Sequence, residues 1–336
     1  MSRVLCFGEL LLRLSPQLKG DWLKQQSMAV HVGGSELNVA SALAIWQVPA
    51  SYFTVLPDNY LTVEIISDLN VRGINLSKVK LSGNRVGIYY LPQNADLKHT
   101  SVIYDRENSS FSEIQPGELD WEYILQDVSW FHFSAISPAL NQNIADVCLE
   151  AVKIASKKGI TISVDLNYRS KLWQYGKQPY EIMPNLVNYC NVIMGNIWAK
   201  EKMLRINFNQ GNTMDRQFFI DASLKSSELL MQEFDNCKQV ANTFRFDVGK
   251  GIKYYASLYE KNNIYLSKEL STNSIIDKVG SGDTFMAGLI YGKWNNYNSQ
   301  QIVDFASLAA FNKLFIIGDA TKSTVEEILN QPNLYE

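Results

Sequence analysis

Near the C-terminal end an extended run, Ile275-Ile276-Asp277-Lys278-Val279, meets Gly280-Ser281-Gly282-Asp283 and then an apolar helical run from Thr284 to Tyr291. Two glycines one residue apart let the backbone turn tightly and aim its N–H groups into one concavity. A helix opening there adds unpaired N–H groups and the positive end of its dipole, so the loop is an anion site. An aspartate at that mouth would repel an anion that is merely bound. It suits a group that takes a proton from a hydroxyl while neighbouring N–H groups hold a transferring phosphoryl group. The alternative for Gly-x-Gly-Asp alone is a capped turn before a core helix, with Asp283 as N-cap.

The rest of the chain repeats the same strand-to-helix rhythm. Val4 to Phe7 reads as a short buried strand ending at Gly8, and Glu36 to Gln47 as a helix. Ser51 to Leu56 reads as a strand, and Asp58 caps a helix from about Tyr60 to Arg72. Alternation of this kind indicates a parallel sheet covered by helices. It breaks at about Arg85, where Arg85 to Leu91 and His99 to Asp105 form a hairpin around a polar turn at Pro92-Gln93-Asn94. With Leu10 to Leu14 and the approach to Gly33, this hairpin makes a small second sheet over about residues 10–33 and 85–113. The alternative is an edge hairpin of the main sheet. From Trp121 the rhythm resumes, with strands at Val128 to Phe133, Ile160 to Leu166, Val192 to Met194, Gln239 to Phe246, Lys253 to Tyr259 and Ile264 to Leu270. A polar break is expected from Asn207 to Asn212, and the late helices run Thr284 to Trp294, Ser299 to Ile317 and Thr324 to Leu329.

With 336 residues, 46% hydrophobic and 19% charged, the chain can bury a large core in one main unit with a small appendage. A net charge of −3 proposes neither nucleic acid nor an anionic membrane as partner. The four cysteines, Cys6, Cys148, Cys190 and Cys237, lie scattered in apolar segments, which fits reduced thiols in a cytoplasmic protein. His31, His99 and His132 are too dispersed to suggest a zinc site. The apolar run after Arg3 is too short for a signal peptide, and no stretch approaches a membrane span.

The Gly280 to Asp283 loop resembles the C-terminal signature of the PfkB (ribokinase-like) carbohydrate kinases. Gly33-Gly34-Ser35-Glu36-Leu37-Asn38-Val39-Ala40 resembles the N-terminal Gly-Gly-x-x-x-Asn-x-Ala signature of the same family. The resemblance implies a three-layer α/β/α fold with a mostly parallel sheet and a small β-sheet lid. It implies ATP and Mg²⁺, with Asp283 as catalytic base and Gly280, Ser281 and Gly282 as the anion hole. Gly34 and Asn38 would hold sugar hydroxyls. Within the family, Tyr89, Tyr104-Asp105-Arg106 and Asp165-Leu166-Asn167-Tyr168-Arg169 are similar to the groups with which kinases of 2-keto-3-deoxygluconate hold their substrate. Tyr89, Tyr104, Arg106 and Arg169 would then face the sugar-acid carboxylate, which arginine forks recognise through paired charge-assisted hydrogen bonds. Gly318-Asp319-Ala320-Thr321 fits the same subgroup. Tyr90 beside Tyr89 would take its place if the strand slipped by one residue.

The nucleotide side departs from the family pattern. Asn196-Ile197-Trp198-Ala199 lacks the glutamate of Asn-x-x-Glu, although Glu201 is close, and the Mg²⁺ contacts stay unassigned. Thr243 to Gly251 carries no Gly-x-x-Gly after its strand. Asn167, Asn196, Arg245, Gly251, Gly280, Gly282 and Asn312 are the expected ATP-side residues, with Lys250 as a further phosphate contact. Asp277 would either help bind a monovalent cation or fix the loop. The reaction expected is phosphorylation of the 6-hydroxyl of 2-keto-3-deoxygluconate by ATP. The alternatives are a fructokinase or other PfkB sugar kinase, and a non-catalytic sugar-acid or nucleotide-binding protein. A dinucleotide dehydrogenase is disfavoured, because Gly8-Glu9-Leu10 is no Gly-x-Gly-x-x-Gly turn. A homodimer formed through the small sheet is the expected assembly.

Overall fold

In the computed structural model the described residues are 2–16, 24, 27–92, 102–207, 215–249 and 251–330. The expected turn at Gln93-Asn94, the start of a strand at His99, the polar break over 208–212 and Lys250 lie outside them.

Short strands rich in β-branched and aromatic residues and buried on both faces favour parallel pairing beneath helices. The central sheet follows that rule. Ala50–Phe53, Arg3–Phe7, Val128–Ser134, Thr161–Asp165, Val192–Met194 and Gln239–Val248 lie side by side in that order, all parallel. Gly251–Glu260 then pairs antiparallel with Gln239–Val248, and its own far edge carries Asn263–Leu266 and Leu270–Thr272. Two separate cores flank this sheet. One packs helices Ser35–Ile45, Ser281–Trp294 and Ser299–Asn312 against it, and the other packs Gln142–Lys157 and Pro179–Val187. Ser281–Trp294 is apolar on nearly every side because it is enclosed on nearly every side. A Cβ on its Gly288 would lie 2.6 Å from Ala306 Cα, so glycine sets how closely the two late helices approach.

A second, four-stranded sheet runs Ala29–Gly33, Leu11–Ser15, Gly87–Tyr90, Ile103–Asp105. Its register settles the Tyr89/Tyr90 ambiguity. His31, Arg13, Tyr89 and Tyr104 form one cross-strand row, while Val30, Leu14, Tyr90 and Ile103 form the next. Successive rows point to opposite faces. Arg13 and Tyr89 are buried, whereas Val30 and Ile103 are more than half exposed. The first row therefore faces the body of the protein and the second faces solvent.

Three expectations need correction. The helix expected from Tyr60 is capped by Asn59, which accepts from the Thr62 N–H, rather than by Asp58. The helix expected to begin at Thr284 begins at Ser281, with Gly280 in the left-handed region at φ 78°. Asp283 is thus the third residue of the helix and not its cap. The helix expected to reach Ile317 stops at Asn312, where Lys313–Phe315 tightens into a 3₁₀ turn.

Candidate active site

The carboxyl ends of the parallel strands open on a cleft of about 630 Å³, the position where open α/β sheets hold ligands. The loop after Met194, the segment Asp165–Ser170, the start of helix Ser35–Ile45 and the start of helix Ser281–Trp294 all reach it, and the small sheet closes one side.

The loop Gly280–Asp283 sits at the centre. Because the helix starts at Ser281, the N–H groups of Ser281, Gly282 and Asp283 fall in its first turn, where no carbonyl within the helix can accept them. Gly280 is required on two counts. Its φ is positive, and a Cβ there would lie 1.7 Å from the Asp319 carbonyl oxygen. The Asp283 carboxylate is buried and doubly anchored: Ser35 Oγ donates to Oδ1 at 2.8 Å and Asn38 Nδ2 donates to Oδ2 at 2.6 Å. Burial lifts its pKa to about 6; these two hydrogen bonds and the Arg169 guanidinium pull it down, and Asp319 pushes it up. Such a group is ionised at neutral pH and still basic enough to accept a proton.

Two more carboxylates are tuned nearby. Burial, reinforced by the Asp283 charge, lifts Asp165 to about 7 against the Asn167 N–H and Arg169. Burial lifts Glu36 to about 7 as well, although the Ser134 N–H and hydroxyl donate to it at 2.8 and 2.7 Å. Glu36 fills the space beside Gly8, where a Cβ would lie 2.1 Å from its Oε2.

The structure gathers most of the expected residues in this cleft. Gly34, Asn38, Tyr89, Tyr104, Arg106, Asn167, Arg169, Asn196 and Arg245 line it together with Gly280 to Asp283. Several carry contacts that the sequence did not reveal. Asn38 bonds Asp283 directly. Arg106 is buried against Glu9, its Nε and Nη2 both 2.6 Å from Oε2. The Tyr89 hydroxyl donates to Asp319 Oδ2 at 2.7 Å. Asn196 caps helix Ile197–Leu204, its Oδ1 accepting from the Ala199 N–H at 2.8 Å. Ala199 lines the cleft where the family glutamate was expected, and Glu201 does not.

Gly251 and Asn312 depart from expectation, since neither is among the residues lining the cleft. Gly251 starts its strand under Leu270–Thr272, with the Thr272 carbonyl 2.1 Å from a would-be Cβ. Asn312 is buried at the end of its helix. Asp277 reads as a loop-fixing group. Arg13 donates to both its oxygens, and the Val279 and Gly318 N–H groups donate to it as well. Sequence reasoning missed Ser35, Glu9, Arg13 and Lys313. Ser35 was legible as the hydroxyl after Gly34, and Lys313 as a lone charge inside Phe311 to Phe315. Glu9 and Arg13 act through partners some 100 and 260 positions away, and carried no local signal.

The cleft offers no ready-made cage for a metal: among the described residues no group of three or more His, Cys, Asp or Glu side chains could hold one. An ion that keeps most of its water and binds phosphate oxygens needs no such cage.

The pfkB family of carbohydrate kinases matches residues 1–217. The chain is 26% identical to 2-dehydro-3-deoxygalactonokinase of Haloferax volcanii, over 97% of this chain and 95% of that protein. It is 24% identical to 2-dehydro-3-deoxygluconokinase of Bacillus subtilis, over 85% and 81% respectively. The crystal structure of 2-dehydro-3-deoxygluconokinase from Thermotoga maritima superposes with a TM-score of 0.88 at 33% identity, covering 98% of both chains. The chain belongs to the pfkB family of carbohydrate kinases.

Proposed function

We propose that the protein is an ATP-dependent sugar-acid kinase that phosphorylates the 6-hydroxyl of 2-keto-3-deoxygluconate. The observation that carries this reading is the placement of Asp283 beside the first-turn N–H groups of its own helix, in a cleft that Arg169 also lines. Asp283 takes the proton of the attacking hydroxyl. That oxygen bonds to the γ-phosphorus as the bond to the ADP oxygen breaks, and the N–H groups of Ser281 and Gly282 hold the charge that moves across. Gly34 leaves the backbone open to the sugar, and Arg169, Arg106, Tyr104 and Tyr89 form the carboxylate end. Asn167, Asn196 and Arg245 lie on the nucleotide side.

ATP brings Mg²⁺, which neutralises phosphate charge. Asp165 is the cleft carboxylate left to offer the ion an oxygen. Asp283 is committed as base, Asp247 pairs with Lys278 at 2.8 Å, and Asp319 pairs with Arg13 and Tyr89. The small sheet acts as a lid that excludes water from the phosphoryl group. Its exposed row, with Val30 and Ile103, supports pairing with a second copy, which light scattering would detect as a doubled mass. Four buried free cysteines fit a cytoplasmic setting, and among the described residues no helix is long and apolar enough to cross a membrane.

The Haloferax volcanii relative favours a second reading, in which the substrate is the galactonate-derived epimer. A coupled assay with ATP and a panel of both epimers, fructose and ribose tests the assignment. Turnover of a sugar acid well above that of either neutral sugar is the expected result. Preference for fructose or ribose would overturn the sugar-acid assignment, and no ADP release with any of them would overturn the kinase reading.

A further inference from the structure

Beside the anion loop lies a cluster of four charges to which the reaction assigns no step, Asp319 at its edge lining the cleft. Arg13 Nη1 and Nη2 donate to Asp277 Oδ1 and Oδ2 at 3.3 and 2.8 Å, and Arg13 Nε pairs with Asp319 Oδ1 at 2.8 Å. Lys313 is wholly buried at the end of the late helix, and its ammonium donates to the Ile316 carbonyl at 2.9 Å. Its stem packs directly against the loop, since a Cβ on Gly280 would lie 3.4 Å from Lys313 Cε. The ammonium stands in the field of Asp277, Asp319 and Asp283. The backbone ties the same elements together: the Ile276 and Asp277 N–H groups both donate to the Leu314 carbonyl.

The two cations balance Asp277 and Asp319, and the third carboxylate in the field, Asp283, is answered by Arg169. An added monovalent cation would bring an uncompensated buried charge, and burying a charge without a partner is strongly unfavourable. It would also compete for Asp277 oxygens already taken by a guanidinium fork and for a carbonyl already taken by an ammonium. The residues present therefore do not fit the monovalent cation that the resemblance allowed at Asp277.

We propose that Lys313 and Arg13 are resident cations that hold the anion loop in register, so that turnover requires no added monovalent cation. Lys313 braces Gly280 from behind, and Arg13 ties Asp277 and Asp319 to the small sheet. Both are positioning residues: they act on the phosphoryl group through the loop, and the inference rests on reading Gly280 to Asp283 as the catalytic loop, with Gly280 to Gly282 as its anion hole.

The test measures ADP release chromatographically, without auxiliary enzymes that need potassium. Tetramethylammonium chloride is exchanged for potassium or sodium chloride at constant ionic strength. The wild-type kcat should change by less than about twofold. In Lys313→Met it should fall roughly 10- to 100-fold with the sugar KM held within about threefold, because only the phosphoryl-holding geometry loosens. In Lys313→Ala, which leaves room for an ion, potassium should restore part of that loss. Activation of the wild type by potassium or sodium of about fivefold or more would overturn the proposal. So would a Lys313→Met enzyme with unchanged kcat. The wild-type measurement needs no variant, so a misfolded Lys313 variant does not shelter the idea. Failure of the underlying reading of this loop as the catalytic loop is separable, because it would show as near-normal turnover in Asp283→Asn.

Discussion

Replacing Ser35 by alanine should move the acid limb of the pH–rate profile without abolishing catalysis. Burial raises Asp283 to about 6, and the Ser35 and Asn38 hydrogen bonds, with Arg169, keep it from rising further. The Ser35 hydroxyl donates to Oδ1 at 2.8 Å, and hydrogen bonds to charged groups contribute about 1.5–3 kcal/mol. At about 1.4 kcal/mol per pKa unit, losing one should raise the carboxylate by one to two units. Ser35 is only partly buried, so water can replace some of the interaction, and the shift should sit near the lower figure, about one unit. kcat/KM reports the free enzyme, the state described here. Measured from about pH 5 to about pH 9, the wild type should lose activity tenfold per unit below about 6, and Ser35→Ala below about 7. Titration of ATP is common to both enzymes and cancels in the comparison. Asn167 Nδ2 also reaches Ser35 Oγ, at 3.4 Å, so the alkaline plateau should fall modestly. If both enzymes share one midpoint, the group controlling the acid limb is not the carboxylate anchored by Ser35, and Asp283 loses its assignment as base.

Three further outcomes follow from the same geometry. Asp283→Asn should lower kcat roughly 10²–10⁴-fold while calorimetry still detects sugar and ATP binding, because the remaining amide oxygen keeps one of the two anchoring hydrogen bonds while the proton acceptor is lost. Arg169→Ala should raise KM for sugar acids about 10- to 100-fold and for fructose by less than about threefold; equal changes would remove the carboxylate assignment. Asp165→Asn should stabilise the protein as pH rises. The folded carboxyl is lifted from its usual 3.8 to about 7, chiefly by burial, so its stabilising contribution is complete below about pH 4 and lost as pH climbs through 7. Asparagine escapes that loss, and chemical denaturation should show a gain of about 1–3 kcal/mol at pH 8 over pH 4.

What could be read from the sequence was whatever is encoded by neighbours along the chain. Gly280-Ser281-Gly282-Asp283 spells out a tight turn, a helix start and a carboxylate within four residues, and the folded loop has that form. The helix was expected to start three residues late because Ser, Gly and Asp favour caps over helix interiors. What overrides that preference is the fit of Gly280 beneath the Asp319 carbonyl, a contact between distant parts of the chain. Tyr89 and Tyr90 are indistinguishable by composition, and only pairing with Arg13 and Tyr104 turns the former inward. Arg106 was legible as a cleft arginine, but its burial against Glu9 was not, since the two lie 97 positions apart. The same limit governs chemistry. The sequence identified Asp283 as a possible base, yet a carboxylate near its usual pKa and one lifted to about 6 differ in when they accept a proton. That difference is set by the depth of burial and by Ser35, Asn38, Arg169 and Asp319, which converge on it only after folding. A motif therefore names the reacting group, while long-range packing decides the pH at which it reacts, and a substitution at Ser35 probes the second without touching the first.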